Sequence, residues 1–352
     1  MILMKNRKTT MSDVAKKAGV APATVARVIY GNGYVAADKR KIIEKALKET
    51  GYRPNVMARA LRTSRSNTLG LVVSEGRLNA FHPYIAHEVQ LEALKHGYTV
   101  LTLNNNSDAE VERMGVQRFL DQHVDAVIFC AAVDAANVRL CNKARVPIVQ
   151  IEREIAAVGS FVLVDPQPGM TEAISHLATL GHKRIAYIGG RIDATVSEKP
   201  NGQSVEALRL AAFERAMQEA NLTVDSNHIL LGEYYATGAE HPSGYTMMKK
   251  LLSSKPAPTA VVAGADLLAA GVLQAIGEMN LSVPGDISLI GYDDTMAEVL
   301  TPPLTSIAQP ILDLGQSAVS LAMAAIKGPD EPPDTKVFTT RLVLRKSTGH
   351  PN

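Results

Sequence analysis

From Leu69 onward the chain alternates short apolar runs with amphipathic stretches, and it does so in two sets. Leu69–Ser74, Tyr98–Leu103, Ala126–Cys130 and Pro147–Ile151 have the length and continuity of strands buried on both faces. Between them, Tyr84–His96, Asp108–Gln122 and Ala135–Lys143 carry apolar residues at helical spacing. A second set follows, with strands at Arg184–Ile188, Ile229–Leu231, Ala260–Ala263 and Ile287–Ile290, and a strand-like end at Lys336–Arg345. Parallel strands need crossover helices, so two runs of this rhythm predict an α/β body of two doubly wound lobes. In such sheets ligands bind beyond the carboxyl ends of the strands.

The first 66 residues have a different character. Net charge over all 352 residues is only +2, but fifteen of the 37 Lys/Arg and four of the 35 Asp/Glu fall in residues 1–66. That head carries +11, and the remaining 22 bases against 31 acids leave the body at −9. A basic head on an acidic body points to nucleic acid rather than membrane.

Within the head, Met11–Thr50 reads as three short helices. Thr10 or Ser12 caps the first, which buries Val14, Ala15 and Ala18. Gly19 stands where a helix-ending residue with positive φ belongs. The second opens at Pro22, a favoured first-turn residue, and buries Val25 and Val28. The third, Lys39–Thr50, packs Ile42, Ile43, Ala46 and Leu47 and stops at Gly51. Two short helices around a central Gly form a helix-turn-helix. Its second helix would offer Ala21, Pro22, Ala23, Thr24 and Arg27 to the major groove, Arg27 being the residue able to make a bidentate contact with guanine. Thr10, Lys5, Arg7 and Tyr30 are placed for phosphates.

Next comes Tyr52–Ser66, with Pro54 and the capping-type Asn55 ahead of Val56–Leu61. Helices this short are marginal alone in water. Arg59, Arg62 and Arg65, with no acid nearby, make a polyanion the natural partner, and a charged linker is the alternative reading.

Other classes find no support. Cys130 and Cys141 are too few for a disulfide framework and lack metal-ligand spacing, which favours buried reduced thiols in a cytoplasmic protein. The opening Met1–Met4 is shorter than a signal-peptide core, and no run approaches a membrane span. Gly189-Gly190 lacks the dinucleotide fingerprint, and neither a phosphate-binding P-loop nor an H-E-x-x-H motif occurs. No cofactor, metal site or catalytic group is expected, and the absence of a heptad repeat near the end favours a homodimer.

The segments D-V-A-K-K-A-G-V-A-P-A-T-V-A-R-V, Y-R-P-N-V-M-A-R-A-L-R-T and L-G-L-V-V resemble the lac repressor/galactose repressor family of transcription regulators, with matching spacing over nearly the whole chain. The resemblance implies a small all-α helix-turn-helix DNA-binding head at 9–53 and a hinge helix with linker at 54–66. It implies an effector-binding and dimerisation body of periplasmic-binding-protein type at 67–346, its first lobe about 67–165 plus 294–326 and its second about 166–293 plus 327–346. The chain would cross between lobes near Asp165–Gly169, Tyr292–Thr295 and Lys327.

By position, Pro22, Ala23 and Arg27 become base-reading residues. In the hinge, Asn55, Ala58, Arg59 and Leu61 face the DNA, with Leu61 a wedge that unstacks a minor-groove step. The family usually has Ser where Ala21 and Ala26 stand, and Asn at Tyr30. With no polar side chain at 21–23, readout would lean on Arg27, methyl contacts and DNA shape.

Candidate effector contacts lie where strands end. Glu152 and Arg153 follow one strand, Asp293 and Asp294 another, and Phe81 and His82 sit in the loop after the first. Guanidinium and carboxylate groups across a cleft suit the vicinal hydroxyls of a sugar, with the aromatic Phe81 beside them as an apolar wall. By family position Arg209 and Asp293 match the effector-contacting pair and Glu152 a further polar contact. An inter-lobe or dimer-interface salt bridge is the alternative. Ala265 replaces the Asn that many sugar-binding relatives carry before Asp266, which is itself a candidate effector contact. The longer segments Arg191–Glu206 and Tyr235–Ser243 could fold over the cleft mouth.

The expected function is a dimeric repressor that binds double-stranded operator DNA and is gated by a carbohydrate effector. An effector-driven lobe rotation would part the hinges and melt Val56–Leu61. The rivals are an intracellular sugar-binding protein or an enzyme using the same cleft.

Overall fold

A computed structural model describes residues 9–52, 65–74, 80–130, 132–192, 204–234 and 240–352. The hinge positions Asn55, Ala58, Arg59 and Leu61, the basic residues Lys5 and Arg7, and most of the two long segments lie outside the described residues. The chain forms two compact units, 1–66 and 67–352.

The head holds α1 (Met11–Ala18), α2 (Pro22–Tyr30) and α3 (Ala37–Thr50). Thr10 and Asp13 form a reciprocal capping box at α1, and Gly19 ends it at φ 66°. Val14, Ala15, Ala18, Val25, Val28, Ile43 and Ala46 make the core. Ile42 departs from the expected packing: it is half exposed and Ile43 alone of the pair points inward. A Lys17–Glu49 ion pair of 2.8 Å joins α1 to α3.

In the body, the first sheet has the order β11-β5-β4-β3-β1-β2 and is parallel throughout. Its strands are β1 (Thr68–Val73), β2 (Thr99–Asn104), β3 (Ala126–Phe129), β4 (Ile148–Ile151), β5 (Ser160–Asp165) and β11 (Thr335–Thr339). Helices α4 (Phe81–Lys95) and α11 (Ile311–Lys327) cover one face over Leu71, Ile85, Ile128 and Val319. The other face packs on α5 (Ala109–Asp121) and α6 (Ala135–Lys143) through Phe119, Val127, Phe129 and Val138. Cys130 and Cys141 are buried, unbridged thiols.

The second sheet runs β12-β10-β9-β8-β6-β7, parallel except for the antiparallel pairing of β12. It comprises β6 (Ile185–Gly190), β7 (Ile229–Gly232), β8 (Ala260–Ala263), β9 (Ser288–Asp293), β10 (Thr305–Ala308) and β12 (Arg341–Val343). Helices α7 (Gln167–Thr179) and α8 (Val205–Glu219) pack on one face, α9 (Ser243–Leu252) and α10 (Asp266–Glu278) on the other. Among the described residues no helix is long and apolar enough to cross a membrane.

The partition between lobes corrects the expected one at two of three crossings. The first crossing is at Asp165–Gln167, between β5 and α7. Residues from 294 do not return to the first lobe, because Thr305–Ala308 forms a fully buried strand paired in parallel with β9. The return comes at Gln309–Pro310, just before α11. The last crossing is not at Lys327 but at Thr340, which divides the stretch read as a single strand: β11 pairs with β5 and β12 with β10. Buried Thr340 ties two crossings together. Its hydroxyl donates to the carbonyls of Asp165 and Pro166, both at 3.2 Å, and accepts from the Gly169 amide at 3.1 Å.

Candidate functional site

Two strand ends and one helix start bring charged groups into the cleft. β4 ends in a tight turn in which Glu152 takes φ 66°, its amide bonded to Val162 and that of Arg153 to Ile151. β9 ends at Asp293 with φ 93°, followed by Asp294 at 58°. Left-handed backbone at a non-Gly residue costs about 1 kcal/mol or more and clusters at functional sites. α8 adds Glu206 in its first turn and Arg209 three residues on, on the same face.

Arg209 is the centre of this group. Its guanidinium donates to Glu152 of the first lobe at 2.8 Å, lies 3.4 Å from Asp293, donates to the Gly264 carbonyl at 2.8 Å and stacks 4.0 Å from the Tyr292 ring. Gln309, at the second crossing, donates to Asp293 at 2.7 Å and reaches Glu152 at 3.4 Å. Alongside, Arg153 of the first lobe donates to Glu206 of the second at 3.1 Å, and the Tyr234 hydroxyl reaches the same carboxylate oxygen at 3.4 Å. The inter-lobe salt bridge and the cleft-facing charges are therefore the same residues.

Burial sets the electrostatics. It pushes Asp293 up to about 7 against the pull of Arg209, and the neighbouring Asp266 and Glu152 act in the same direction as burial. Burial also opposes the charge on Arg209, yet Asp293, Tyr292 and Glu152 raise its pKa above the ordinary range. His82 is pushed down to about 4 by burial and by Arg153, so it is neutral at pH 7.

Of the expected effector residues, Glu152, Arg153, Arg209 and Asp293 meet in the cleft, and His82 feels both arginines. Phe81 and His82 are not in a loop; they open α4. Phe81 is not a cleft wall either but belongs to the first lobe's core, with His82 edge-on at 5.6 Å. Asp266 is also corrected. One carboxylate oxygen accepts from the Thr295 and Met296 amides at 2.8 and 3.2 Å, the other from Ser306 at 2.7 Å, so its bonding is spent inside the second lobe. Ala265 precedes it as a buried N-cap whose methyl group makes no capping hydrogen bond.

Glu206, Tyr234, Tyr292 and Gln309 were not picked out from sequence. Glu206 had one available signal, its one-turn spacing from Arg209. Gln309 had only its place after an unrecognised strand.

On the head, Ala21, Pro22, Ala23 and Arg27 are exposed and Thr24 is half-buried. No side chain caps α2, which follows the N-cap Ala21 and begins at Pro22. An exposed helix start of this kind suits a polyanion, since free amides and the helix dipole both favour negative charge. Thr10 spends its hydroxyl on Asp13 at 2.7 Å, and Tyr30 is half-buried beside Tyr52.

The description "Bacterial regulatory proteins, lacI family" matches residues 10–55, and "Periplasmic binding protein-like domain" matches residues 174–348. The HTH-type transcriptional repressor PurR of Haemophilus influenzae is 31% identical over 344 residues, covering 96% of this chain and 98% of that protein. Among solved structures, the lac repressor dimer bound to operator and the anti-inducer ONPF matches with TM-score 0.80 at 27% identity, over 97% of this chain and 100% of that one. The complex of the transcriptional regulator CelR with cellobiose matches with TM-score 0.69 at 28% identity, over 97% of this chain and 100% of that one.

Proposed function

The chain belongs to the lacI family of bacterial regulatory proteins, and from that premise we propose that it is a cytoplasmic, dimeric repressor gated by a hydroxyl-rich effector, a sugar or sugar derivative. It is a DNA-binding transcription regulator rather than an enzyme. Its head reads operator DNA through α2, with Arg27 as the guanine reader and Ala21, Pro22 and Ala23 supplying apolar contacts.

One observation carries the effector reading. Among the described residues, four buried side-chain polar atoms have no hydrogen-bond partner: His82 Nδ1, Tyr187 Oη, Arg209 Nε and Gln309 Oε1. All four belong to residues around Arg209. Gln309 shares Asp293 and Glu152 with it, and the charge of Arg209 is felt at both His82 and Tyr187. Buried polar groups are nearly always satisfied, so such a cluster marks a place where a ligand supplies the bonds. His82 spends its one N–H on the Ser74 carbonyl, which leaves Nδ1 an acceptor. Two acceptors and two donors are matched by neighbouring hydroxyls, each of which both donates and accepts. The cellobiose complex of a similar regulator supports the same class.

The dimer has a natural seat. Leu91 and Leu94 on α4 and Val111 and Met114 on α5 are 40–69% exposed, on two helices that flank the edge strand β2.

Fluorescence anisotropy tests the proposal, using DNA from upstream of the gene and a scrambled duplex at near-physiological salt. Upstream binding tighter by about 10³-fold or more is expected, shifted by one or more members of a mono- and disaccharide panel. Equal binding to both duplexes would overturn the operator reading. A shift caused by nucleobases and by no carbohydrate would overturn the effector class.

A further inference from the structure

Glu206 is buried, with 7% of its surface exposed, and its bonding is unevenly divided between the lobes. Among the described residues of its own lobe, its one side-chain partner is the Tyr234 hydroxyl, at 3.4 Å. Its short contact is with Arg153, which belongs to the other lobe and whose side chain is 29% exposed. A buried carboxylate left without a donor is costly, so this corner of the second lobe requires a donor-rich partner whatever the lobes do.

The corner is shaped for one. A side chain at Gly190, the last residue of β6, would meet Glu206 Cγ at 2.7 Å and Tyr234 Oη at 2.9 Å, so only glycine leaves room there. Tyr187, 1% exposed, sits on the same strand with an unpartnered hydroxyl. A Cβ added at Gly264, whose carbonyl accepts from Arg209 at 2.8 Å, would meet that hydroxyl at 2.8 Å, which places it beside Arg209, one turn along α8 from Glu206.

Building on the reading that a ligand enters this cleft, we propose that Glu206, Tyr234 and Tyr187 form a second polar subsite, and that Arg153 is its resident occupant. The subsite takes a cationic or multiply donating group, and a guanidinium is the guest it already holds. An effector that fills the cleft presents such a group, an amine or an adjacent pair of hydroxyls, to Glu206 and displaces Arg153. The displaced guanidinium then returns to solvent from its half-open position, and the link it made between the lobes is broken.

Chemical rescue tests this without knowledge of the effector. Full-length Arg153→Ala protein is titrated with methylguanidinium at low millimolar concentration and followed by differential scanning fluorimetry, beside wild type and the Arg153→Ala/Glu206→Gln double variant. A saturable rise of roughly 2–4 °C is expected in Arg153→Ala alone. Circular dichroism and operator binding establish that each variant is folded. Folded Arg153→Ala with no rise, or the same rise in the double variant, overturns the subsite. The operator and sugar titrations are unaffected by either result, so the broader effector reading stands or falls separately.

Discussion

The Arg209 guanidinium, on the second helix of its lobe's βα series, lies 2.8 Å from Glu152 at the end of a strand in the opposite lobe, with both side chains almost wholly buried. One contact thus joins the lobes and closes the cleft. Removing the arginine alone leaves Glu152 and Asp293 buried without their cation. Arg209→Ala is expected to destabilise the body by about 3–5 kcal/mol, read by urea denaturation followed through circular dichroism. Because Asp293 can take up a proton, Asp293→Asn is expected to cost less. An Arg209→Ala protein as stable as wild type would mean that the pair is not held as described.

Protonation gives that cleft two opposed pH dependences. Asp293 is raised from 3.8 to about 7, so between these values the folded chain binds the extra proton and stability falls as pH rises. His82 is lowered from 6.5 to about 4, so over that window the unfolded chain binds the extra proton and stability rises with pH. The two largely cancel from about pH 4 to 6.5. Asp293→Asn is expected to unmask a rising slope there, and His82→Gln a falling one, each up to about 1.4 kcal/mol per pH unit. Denaturation midpoints from pH 4 to 8 measure both, and parallel curves for the two variants would contradict the assignment.

Gly169 lies in the first turn of α7, where the chain has just crossed between lobes. An added Cβ would meet Ile307 Cγ2 and Thr340 Oγ1, both at 2.7 Å. Those neighbours belong to β10 and to the third crossing, so neither can yield without moving the connection. Gly169→Ala is expected to cost about 1–3 kcal/mol in thermal unfolding, despite alanine's better helix propensity.

The exposed apolar residues flanking β2 make a dimerisation test direct. Leu91→Lys combined with Leu94→Lys is expected to yield a monomer by sedimentation velocity and to weaken operator binding at least ~10-fold, since two half-sites are no longer held together. An unchanged dimer would move the interface elsewhere.

At the head, Arg27→Ala is expected to lose about 1–3 kcal/mol of discrimination at one guanine of each half-site, measured by competition with single-base operator variants. Uniform weakening across all variants would instead make Arg27 a phosphate contact.

Local chemistry made much of this chain legible. Thr10 with Asp13, Gly19, Pro22 and Gly51 mark helix ends through bonds and φ values that involve only near neighbours, so the three head helices follow from sequence. The apolar runs likewise announce the strands, fully buried at the sheet centres and part-exposed at the edge strands β2 and β7. Within the site, Asp293, Glu152 and Arg153 were accessible as charged residues just beyond such runs, and Arg209, inside a helix, through its position in the family pattern. Tertiary structure alone decided which sheet each late strand joined. Thr305–Ala308 is short, and its assignment rests on pairing with β9, while Thr335–Val343 is divided between two sheets at Thr340. Gln309 acquired its partners through that crossing, and Phe81 and Asp266 were drawn away from the cleft into core packing and internal hydrogen bonds. Strand partners and the far side of a cleft are set by contacts between residues distant in the chain, and no pattern of neighbouring residues encodes which distant group arrives.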